Sequence, residues 1–501
     1  MSGNIDTALL LGAGVLLVSV VAVRLSTRAG LPSLLFYLLL GVGIGEAGLG
    51  IQFSNVELTR VLGFCALVII IAEGGLTTRW SVVRPVLGAA TMLATLGVFV
   101  SIAVVGLLVH VILRQPWHLA FLYGAVLSST DAAAVFSTLR RLRIKPRLSA
   151  LLEAESGIND APAVLVVIAL STLAGPGHAG PWWQQLLLIV YELVAGAVIG
   201  LAVGFVGAIG LRRFALPAAG LYPLAAVGFT VLAYATGSVA HASGFLAVYV
   251  AGVLLGNAKI PHRQSVLGFA DGLAWLAQIG LFVLLGLLAS PGRLPAALVP
   301  ALVIGVVVLV ARPIAVALSV TWFRVPWREQ AFLSWAGLRG AVPIVLATIP
   351  LSLGVAGALT LFDVIFVLVV IFTVVQASTI PPVAVRLRVT APNEPSELQV
   401  ETAPLDRMQA DLLELDIPAG SHLAGVYIDE LRLPIGAVVT MVLRDGVGFV
   451  PDARTRLRTG DALLIVTTAA ARGGAERRLR AVSRHGRLAR WRGDEGLSGS
   501  S

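Results

Sequence analysis

Long apolar runs separated by short polar connections fill the chain from its first residues to about residue 380. Many of these runs reach the ~18 apolar residues that indicate a membrane-spanning helix. A soluble fold would have to bury a helix at almost every run, and a chain of this size cannot cover that many. The pattern therefore predicts about thirteen transmembrane helices, at residues 5–23, 31–49, 61–77, 86–113, 118–138, 148–174, 185–210, 217–237, 242–257, 268–289, 295–323, 329–352 and 357–379.

The basic residues of the connections test this count and orient the chain. The connections after odd-numbered segments hold seventeen Lys and Arg residues, whereas the even-numbered ones hold only Arg60, Arg114 and Arg293. Cytoplasmic loops carry the Lys/Arg excess in membrane proteins. The alternation predicts an N-terminus outside the cell and a C-terminus in the cytoplasm.

Composition agrees with a membrane protein and excludes several other classes. Of 501 residues, 57% are hydrophobic and 13% are charged, against about 25% charged in a typical soluble chain. The net charge of +9 is explained by loop cations beside membrane lipid, so no nucleic-acid partner is expected. The single cysteine allows no internal disulfide, and the chain has no Walker-type phosphate loop. We expect neither ATP-driven pumping nor a resident cofactor.

The pattern changes after the last apolar run. Residues 1–389 form the predicted membrane domain, and 390–411 are polar and proline-bearing, as in a linker. Short alternating apolar runs with turn signals predict a small β-containing domain at 412–470. Residues 471–501 are rich in Arg, Gly and Ser. They are expected to be disordered or to lie on the anionic inner leaflet.

Ionisable residues inside the apolar segments are the first candidates for function. Such groups are costly at membrane depth and usually mark ion or proton pathways. Asp363 and Glu192 lie near the starts of spans, so we assign them to the headgroup region. The remaining candidates are Glu73, Asp131, Glu155, Asp160, Arg312 and Arg339.

Four consecutive polar residues, Ser128 to Asp131, interrupt the fifth segment. Ser, Thr and Asp compete for backbone hydrogen bonds and disfavour helix interiors. The stretch predicts a broken helix, whose freed carbonyls, such as that of Thr130, can coordinate a cation. The alternative is an unbroken helix in which Ser and Thr bond to the preceding turn.

In the sixth segment, Glu155, Ser156, Asn159 and Asp160 span one and a half turns, and Ser156 and Asp160 project from one face. Pro162 removes a helical hydrogen bond nearby. The low dielectric constant of the protein interior disfavours an unpaired charged carboxylate. Asp160 can therefore be neutralised either by a proton or by a cation. This competition is the basis of an exchange mechanism.

The twelfth segment holds Gly337, Arg339, Gly340 and Pro343, and predicts a second helix break that carries a positive charge. Two interrupted segments at corresponding positions indicate an inverted repeat with the ion site between its halves. Arg312 lies within an apolar run and needs a buried partner, for which Glu155 is the best candidate.

Two other functions compete with cation/proton exchange. A cation channel gated by its soluble domain would need a selectivity filter of consecutive carbonyls, and no such loop is present. An intramembrane hydrolase could use Ser156 as nucleophile or Asp131 and Asp160 as a dyad. No membrane-embedded histidine or lysine is available to activate Ser156, so an enzyme is not expected.

The motifs together resemble the cation:proton antiporter superfamily, specifically its NhaP-like branch. The matching stretches are AEGGL, SSTDAAAVF, EAESGINDAPA and SWAGLRGAVP, which run from one end of the membrane region to the other. The stretches IPAGSHLAG, LPIGAVVTMVLRDG and LRTGDALLIV resemble an RCK C-terminal (TrkA-C) domain. This pairing is similar to that of the potassium/proton antiporters of the branch.

The resemblance implies an all-α polytopic homodimer with an NhaA-like fold, inverted repeats and two broken crossing helices. It also implies a mobile core domain. By analogy, Asp160 binds cation and proton alternately, supported by Ser156, the Thr130 carbonyl, Asp131 and Glu73. Asn159 in place of a second Asp is associated with electroneutral exchange. The resemblance further implies a Glu155–Arg312 bridge and support of a broken helix by Arg339.

For the cytoplasmic α/β domain, the resemblance implies regulation by a small ligand, a nucleotide or cyclic dinucleotide. No Rossmann half precedes it, which argues against control by NAD. The expected protein is thus a K⁺/H⁺, or Na⁺/H⁺, antiporter. It would work in pH homeostasis in a bacterial-type inner membrane.

Overall fold

The computed structural model describes residues 2–29, 32–46, 48, 50, 55–130, 144–174, 182–337, 340–390, 400–405, 410–418, 420–468, 470–487 and 489. The chain divides into two compact units, Met1–Thr390 and Ala391–Ser501. The first unit is helical. Its helices are α1 Ser2–Ala29, α2 Ser33–Ile44, α3 Val56–Thr77, α4 Trp80–Val83, α5 Leu87–Ala94, α6 Leu96–Leu113, α7 Trp117–Val126, α8 Pro146–Leu173, α9 Trp182–Arg213, α10 Leu221–Val239, α11 Gly244–Asn257, α12 Arg263–Leu288, α13 Leu294–Val320, α14 Trp327–Ala336, α15 Ala341–Ser352 and α16 Ala358–Arg386.

Seven helical stretches of the described residues are long and apolar enough to cross a membrane. The helices α14 and α15 meet at 55° and make an eighth if the bent pair forms one span. A multi-pass membrane domain is thereby confirmed, whereas the number thirteen stays a prediction. The fourth predicted segment starts earlier than expected, because α4 begins at Trp80 and a short 3₁₀ turn joins it to α5.

The helices pack in two groups. The first helix group comprises α2, α3 and α9–α12, and the second comprises α4–α8 and α13–α16. Packing is more extensive within each group than between them, where α3 with α15 and α8 with α11 make the main contacts. Within the first group, the backbones of α3 and α11 touch: a Cβ at Gly75 would lie 3.1 Å from the Gly252 Cα and 2.7 Å from the Tyr249 carbonyl oxygen. Small residues permit such close crossings in membranes.

The last residues of the first unit pair with the segment that precedes α8. Ile144 and Thr390 form an antiparallel bridge, and the Lys145 N–H donates to the Val389 carbonyl at 3.2 Å. Lys145 also forms an ion pair with Glu329 on α14, at 3.1 Å. The end of the membrane domain is thus attached directly to the start of α8.

The second unit is a five-stranded antiparallel sheet covered by one helix. Its strands have the order β1-β2-β5-β3-β4, and their bounds, with the helix α17, are β1 Val400–Leu405, β2 Ala410–Asp416, β3 Ala437–Arg444, β4 Val447–Phe449, β5 Ala462–Thr468 and α17 Arg472–His485.

The predicted linker 390–411 is therefore too long, because 400–405 pair with β2. The predicted disordered tail 471–501 is wrong for 472–485, since Ala475, Leu479 and Val482 are buried in the core of the unit. Residues 490–501 lie outside the described part of the chain.

An ion pair between the buried Asp461 and the half-buried Arg444 fixes the turn before β5. Asp461 accepts hydrogen bonds from Arg444 Nε at 2.8 Å, Arg444 Nη2 at 2.7 Å and the Arg458 N–H at 2.7 Å. Burial alone would raise the pKa of Asp461, but these donors and the positive charges together lower it. The pair therefore stabilises the unit above the usual pKa of aspartate, and the contribution is lost as the pH falls through the lowered value.

Candidate functional site

One face of α8 carries the polar residues of the site. The helix begins at Pro146, a residue suited to the first helical position. Glu153, Ser156, Gly157 and Asp160 are spaced at 0, 3, 4 and 7 residues, which places them on one side of the helix. Asp160 is only 7% exposed, so its carboxylate is held inside the protein.

The end of α7 meets this face. The helix ends at Val126, and the Ser128 hydroxyl donates to the Ala125 carbonyl at 2.7 Å, a local bond that competes with continued helix. Ser129 and Thr130 follow without regular structure and are buried. The interruption leaves the Thr130 carbonyl available to a side chain, and Ser156 Oγ donates to it at 2.5 Å.

Two further hydrogen bonds join the same segments. Ser129 Oγ donates to Asp160 Oδ1 at 2.5 Å, and Asn159 Nδ2 donates to Thr130 Oγ1 at 2.7 Å. The structure therefore brings together four of the predicted site residues, Thr130, Ser156, Asn159 and Asp160. Ser129 was not predicted as a site residue, although it lies in the polar stretch that predicted the helix break.

A cavity of about 70 Å³ opens beside Asp160, between the two helix groups. Oxygen atoms of Asp160, Ser156 and other polar side chains suit a hard cation without strong geometric demands. Glu73 of α3 is half-buried and precedes the lining residue Gly74, but it is not itself among the lining residues. The lining consists of Leu67, Ile70, Ile71, Gly74, Thr78, Glu153, Ser156, Gly157, Asp160, Tyr249 and Val342.

Tyr249 of α11 lies against α8 between Glu153 and Asp160. A Cβ at Gly157 would lie 2.2 Å from Tyr249 Cε2, so only glycine permits this contact. The tyrosine thus forms part of the cavity wall that the first helix group contributes, beside residues of α3.

Glu155 lies on another side of α8 and contacts Arg312 of α13. Arg312 Nη2 donates to Glu155 Oε1 at 2.5 Å, and the two side chains are 4% and 1% exposed. Gly337, where α14 ends, lies against the Arg312 guanidinium. The pair therefore connects α8 and α13 at the junction between α14 and α15.

The remaining candidates are placed differently. Asp131 and Arg339 lie outside the described residues. Asp363 was assigned to the headgroup region, but it is buried and accepts a hydrogen bond from Arg293 Nε at 2.8 Å. The ion pair joins a loop to the first turns of α16, and the headgroup position of Asp363 stays a prediction. Glu153, which is not among the predicted site residues, also lines the cavity.

Comparisons with known proteins cover both units. Residues 15–386 match the family model described as sodium/hydrogen exchanger, transmembrane, and residues 412–480 match the TrkA-C domain. The K(+)/H(+) antiporter NhaP of Alkalimonas amylolytica is 39% identical over 458 residues, covering 90% of this chain and 79% of that protein. The K(+)/H(+) antiporter NhaP2 of Shewanella baltica is 33% identical over 492 residues, covering 96% and 83%.

The fold also has a solved counterpart. The sodium proton antiporter MjNhaP1 from Methanocaldococcus jannaschii aligns with a TM-score of 0.67 at 23% identity, covering 76% of this chain and 99% of that one. This similarity establishes a shared fold for the helical unit.

Proposed function

Since the chain belongs to the family of transmembrane sodium/hydrogen exchangers, we propose that it exchanges a monovalent cation for protons across the membrane. It is a secondary transporter and not an enzyme. The K(+)/H(+) antiporters of Alkalimonas amylolytica and Shewanella baltica align with 90% and 96% of this chain, which supports K⁺ as the principal cation, with Na⁺ second.

The burial of Asp160 in a cavity between the two helix groups is the observation that carries this proposal. A buried carboxylate must be neutralised, either by a proton or by a cation. Ser156 and the Thr130 carbonyl lie beside it and can supply neutral oxygen ligands. Cation and proton then compete for Asp160, and each half-cycle carries one of them.

Electroneutral, one-for-one exchange follows if Asp160 is the only group that changes protonation. Its neighbour Asn159 cannot release a proton, and its amide is engaged with Thr130 Oγ1. Glu73 and Asp131 support the site from nearby in this proposal, and Arg339 supports the junction between α14 and α15.

Alternating access would come from an elevator-like movement of the second helix group against the first. The sparse contacts between the groups and the position of the cavity at their boundary support this movement. The end of α7 at Val126 and the 55° bend between α14 and α15 fit two broken helices, related by inverted repeats, that cross beside the site.

We further propose that the TrkA-C domain regulates exchange by binding a nucleotide or a cyclic dinucleotide. The bridge between Thr390 and Ile144 supports this coupling, because it attaches the end of the membrane domain to the start of α8. The proposed assembly is a homodimer in a bacterial inner membrane, with the N-terminus outside and the C-domain in the cytoplasm, where it contributes to pH homeostasis.

Inverted vesicles that contain the purified protein provide the direct test. With an imposed pH gradient reported by a quenched dye, added K⁺ should restore fluorescence, with Na⁺, Rb⁺ and Li⁺ compared at several pH values. Electroneutral exchange predicts the same rate with and without an imposed membrane potential. Failure of every cation to move protons would contradict the proposal.

Deleting residues 400–501 should leave cation/proton exchange in place and change its dependence on pH or nucleotide. The physical reason is that the deletion keeps the whole helical unit and its site, including the Ile144–Thr390 bridge. The measurement is the same vesicle assay over a pH series with and without added nucleotides. Identical profiles for the full chain and the deletion would argue against regulation by the C-domain.

A further inference from the structure

We propose that Glu153 is a second cation-binding carboxylate of the cavity, through which the ion passes on its way to Asp160. The inference rests on the proposed function, since it assigns a further residue to the same transport path. Its ligand is a partly hydrated monovalent cation.

The position of Glu153 along α8 argues for this role. It lies seven residues before Asp160, which is about 10 Å along the helix axis and on the same face. Both carboxylates line the one cavity. Its volume of about 70 Å³ is several times the ~10–15 Å³ that a cavity needs to hold one water. The cavity can therefore hold an ion together with part of its hydration water between the two carboxylates.

A role in helix capping does not account for Glu153. The helix begins at Pro146, so Glu153 is its eighth residue, whereas charge–dipole stabilisation falls off within the first turn. The side chain instead faces the first helix group. Thr78, the residue that follows α3, is 1% exposed, and its hydroxyl is shared between the Gly74 carbonyl at 2.6 Å and Glu153 Oε1 at 3.2 Å.

Among the described residues, this is the one hydrogen bond to the Glu153 carboxylate, and it leaves most of the acceptor capacity for a cation. An ionised carboxylate has about four lone-pair sites. The guanidinium of Arg79 interacts with Glu153 electrostatically, but it is exposed to solvent and is therefore screened. Glu153 thus adds a negative charge to the cavity, seven residues from Asp160 on the same face of α8.

Replacing Glu153 by glutamine should raise the KM for K⁺ about five- to tenfold, the effect of about 1 kcal/mol or slightly more in ion binding. The rate at saturating K⁺ should fall by no more than about twofold, because the lost interaction assists binding of the ion before Asp160 takes it. Glu153→Asp should restore most of the affinity. The measurement is the K⁺ dependence of proton movement in vesicles.

Two control variants separate this role from structural effects. Glu57→Gln removes one negative charge at an exposed position of α3 and should leave KM unchanged. Thr78→Ala removes the hydrogen bond to Glu153 but keeps the carboxylate. It should therefore raise KM much less than Glu153→Gln does. An equal rise in KM for Thr78→Ala and Glu153→Gln would assign the effect to the hydrogen bond between the helix groups and overturn the proposal.

The outcomes distinguish this inference from the proposed function. Wild-type exchange with an unchanged KM in Glu153→Gln would refute the role of Glu153 and leave cation/proton exchange standing. Absence of exchange in the wild-type protein would refute the proposed function itself.

Discussion

Asp160→Asn should abolish cation-driven proton movement in inverted vesicles, to the level of vesicles without the protein. Asparagine has nearly the same shape, and its carbonyl oxygen can still accept the hydrogen bond that Ser129 Oγ donates to Asp160. The amide carries no negative charge and takes up no proton, so neither half-cycle can proceed. The variant should fold and elute as the wild type does, with transport alone lost.

An exposed aspartate provides the matched control. Asp271 lies on the surface of α12, and Asp271→Asn makes the same chemical change away from the cavity, so exchange should be retained. A second measurement follows proton release when K⁺ is added to purified protein in weak buffer. The wild type should release protons and Asp160→Asn should not. Wild-type-like dequenching by Asp160→Asn would remove Asp160 from the mechanism.

Arg312→Ala should destabilise the membrane domain by about 3–5 kcal/mol, because it leaves Glu155 buried without its partner. Arg312 and Glu155 are almost completely inaccessible to solvent, so water cannot replace the lost guanidinium. The measurement is the thermal unfolding of purified protein in detergent, together with the yield of folded material.

The exposed ion pair between Arg60 and Glu57 is the natural comparison. Arg60→Ala breaks an ion pair of the kind worth about 0–1 kcal/mol and should barely shift the unfolding temperature. The double variant Glu155→Leu with Arg312→Met removes both charges and should recover much of the stability lost in Arg312→Ala. Normal thermal stability of Arg312→Ala would show that the pair is not a structural bridge.

Local sequence patterns predicted much of the fold and part of the site. The apolar runs gave a helical membrane domain, and the motifs gave the family, both of which are confirmed. The spacing of Ser156 and Asp160 on a helix fixes their common face. The polar stretch from Ser128 predicted a helix break, of which the described residues show the end of α7 at Val126. These inferences need only the geometry of one helix.

Local sequence patterns could not predict which residues line the cavity, because these residues come from separate helices. Nothing in the sequence indicates that Tyr249 and Thr78 would meet α8, or that Ser129 would be the donor to Asp160. The missed helix α17 is a different case. Its many arginines led to a prediction of disorder, although Ala475, Leu479 and Val482 form an apolar stripe at helical spacing.

The contact between Gly75 and Gly252 constrains how the cavity can change its width. With the backbones of α3 and α11 already touching, no side chain separates them that could rotate to adjust their distance. In the exchange cycle proposed above, this wall therefore keeps its shape, and the diameter available to an ion is set by displacement of α8 and α15. Discrimination between cations of different radius then depends on where the moving helices stop.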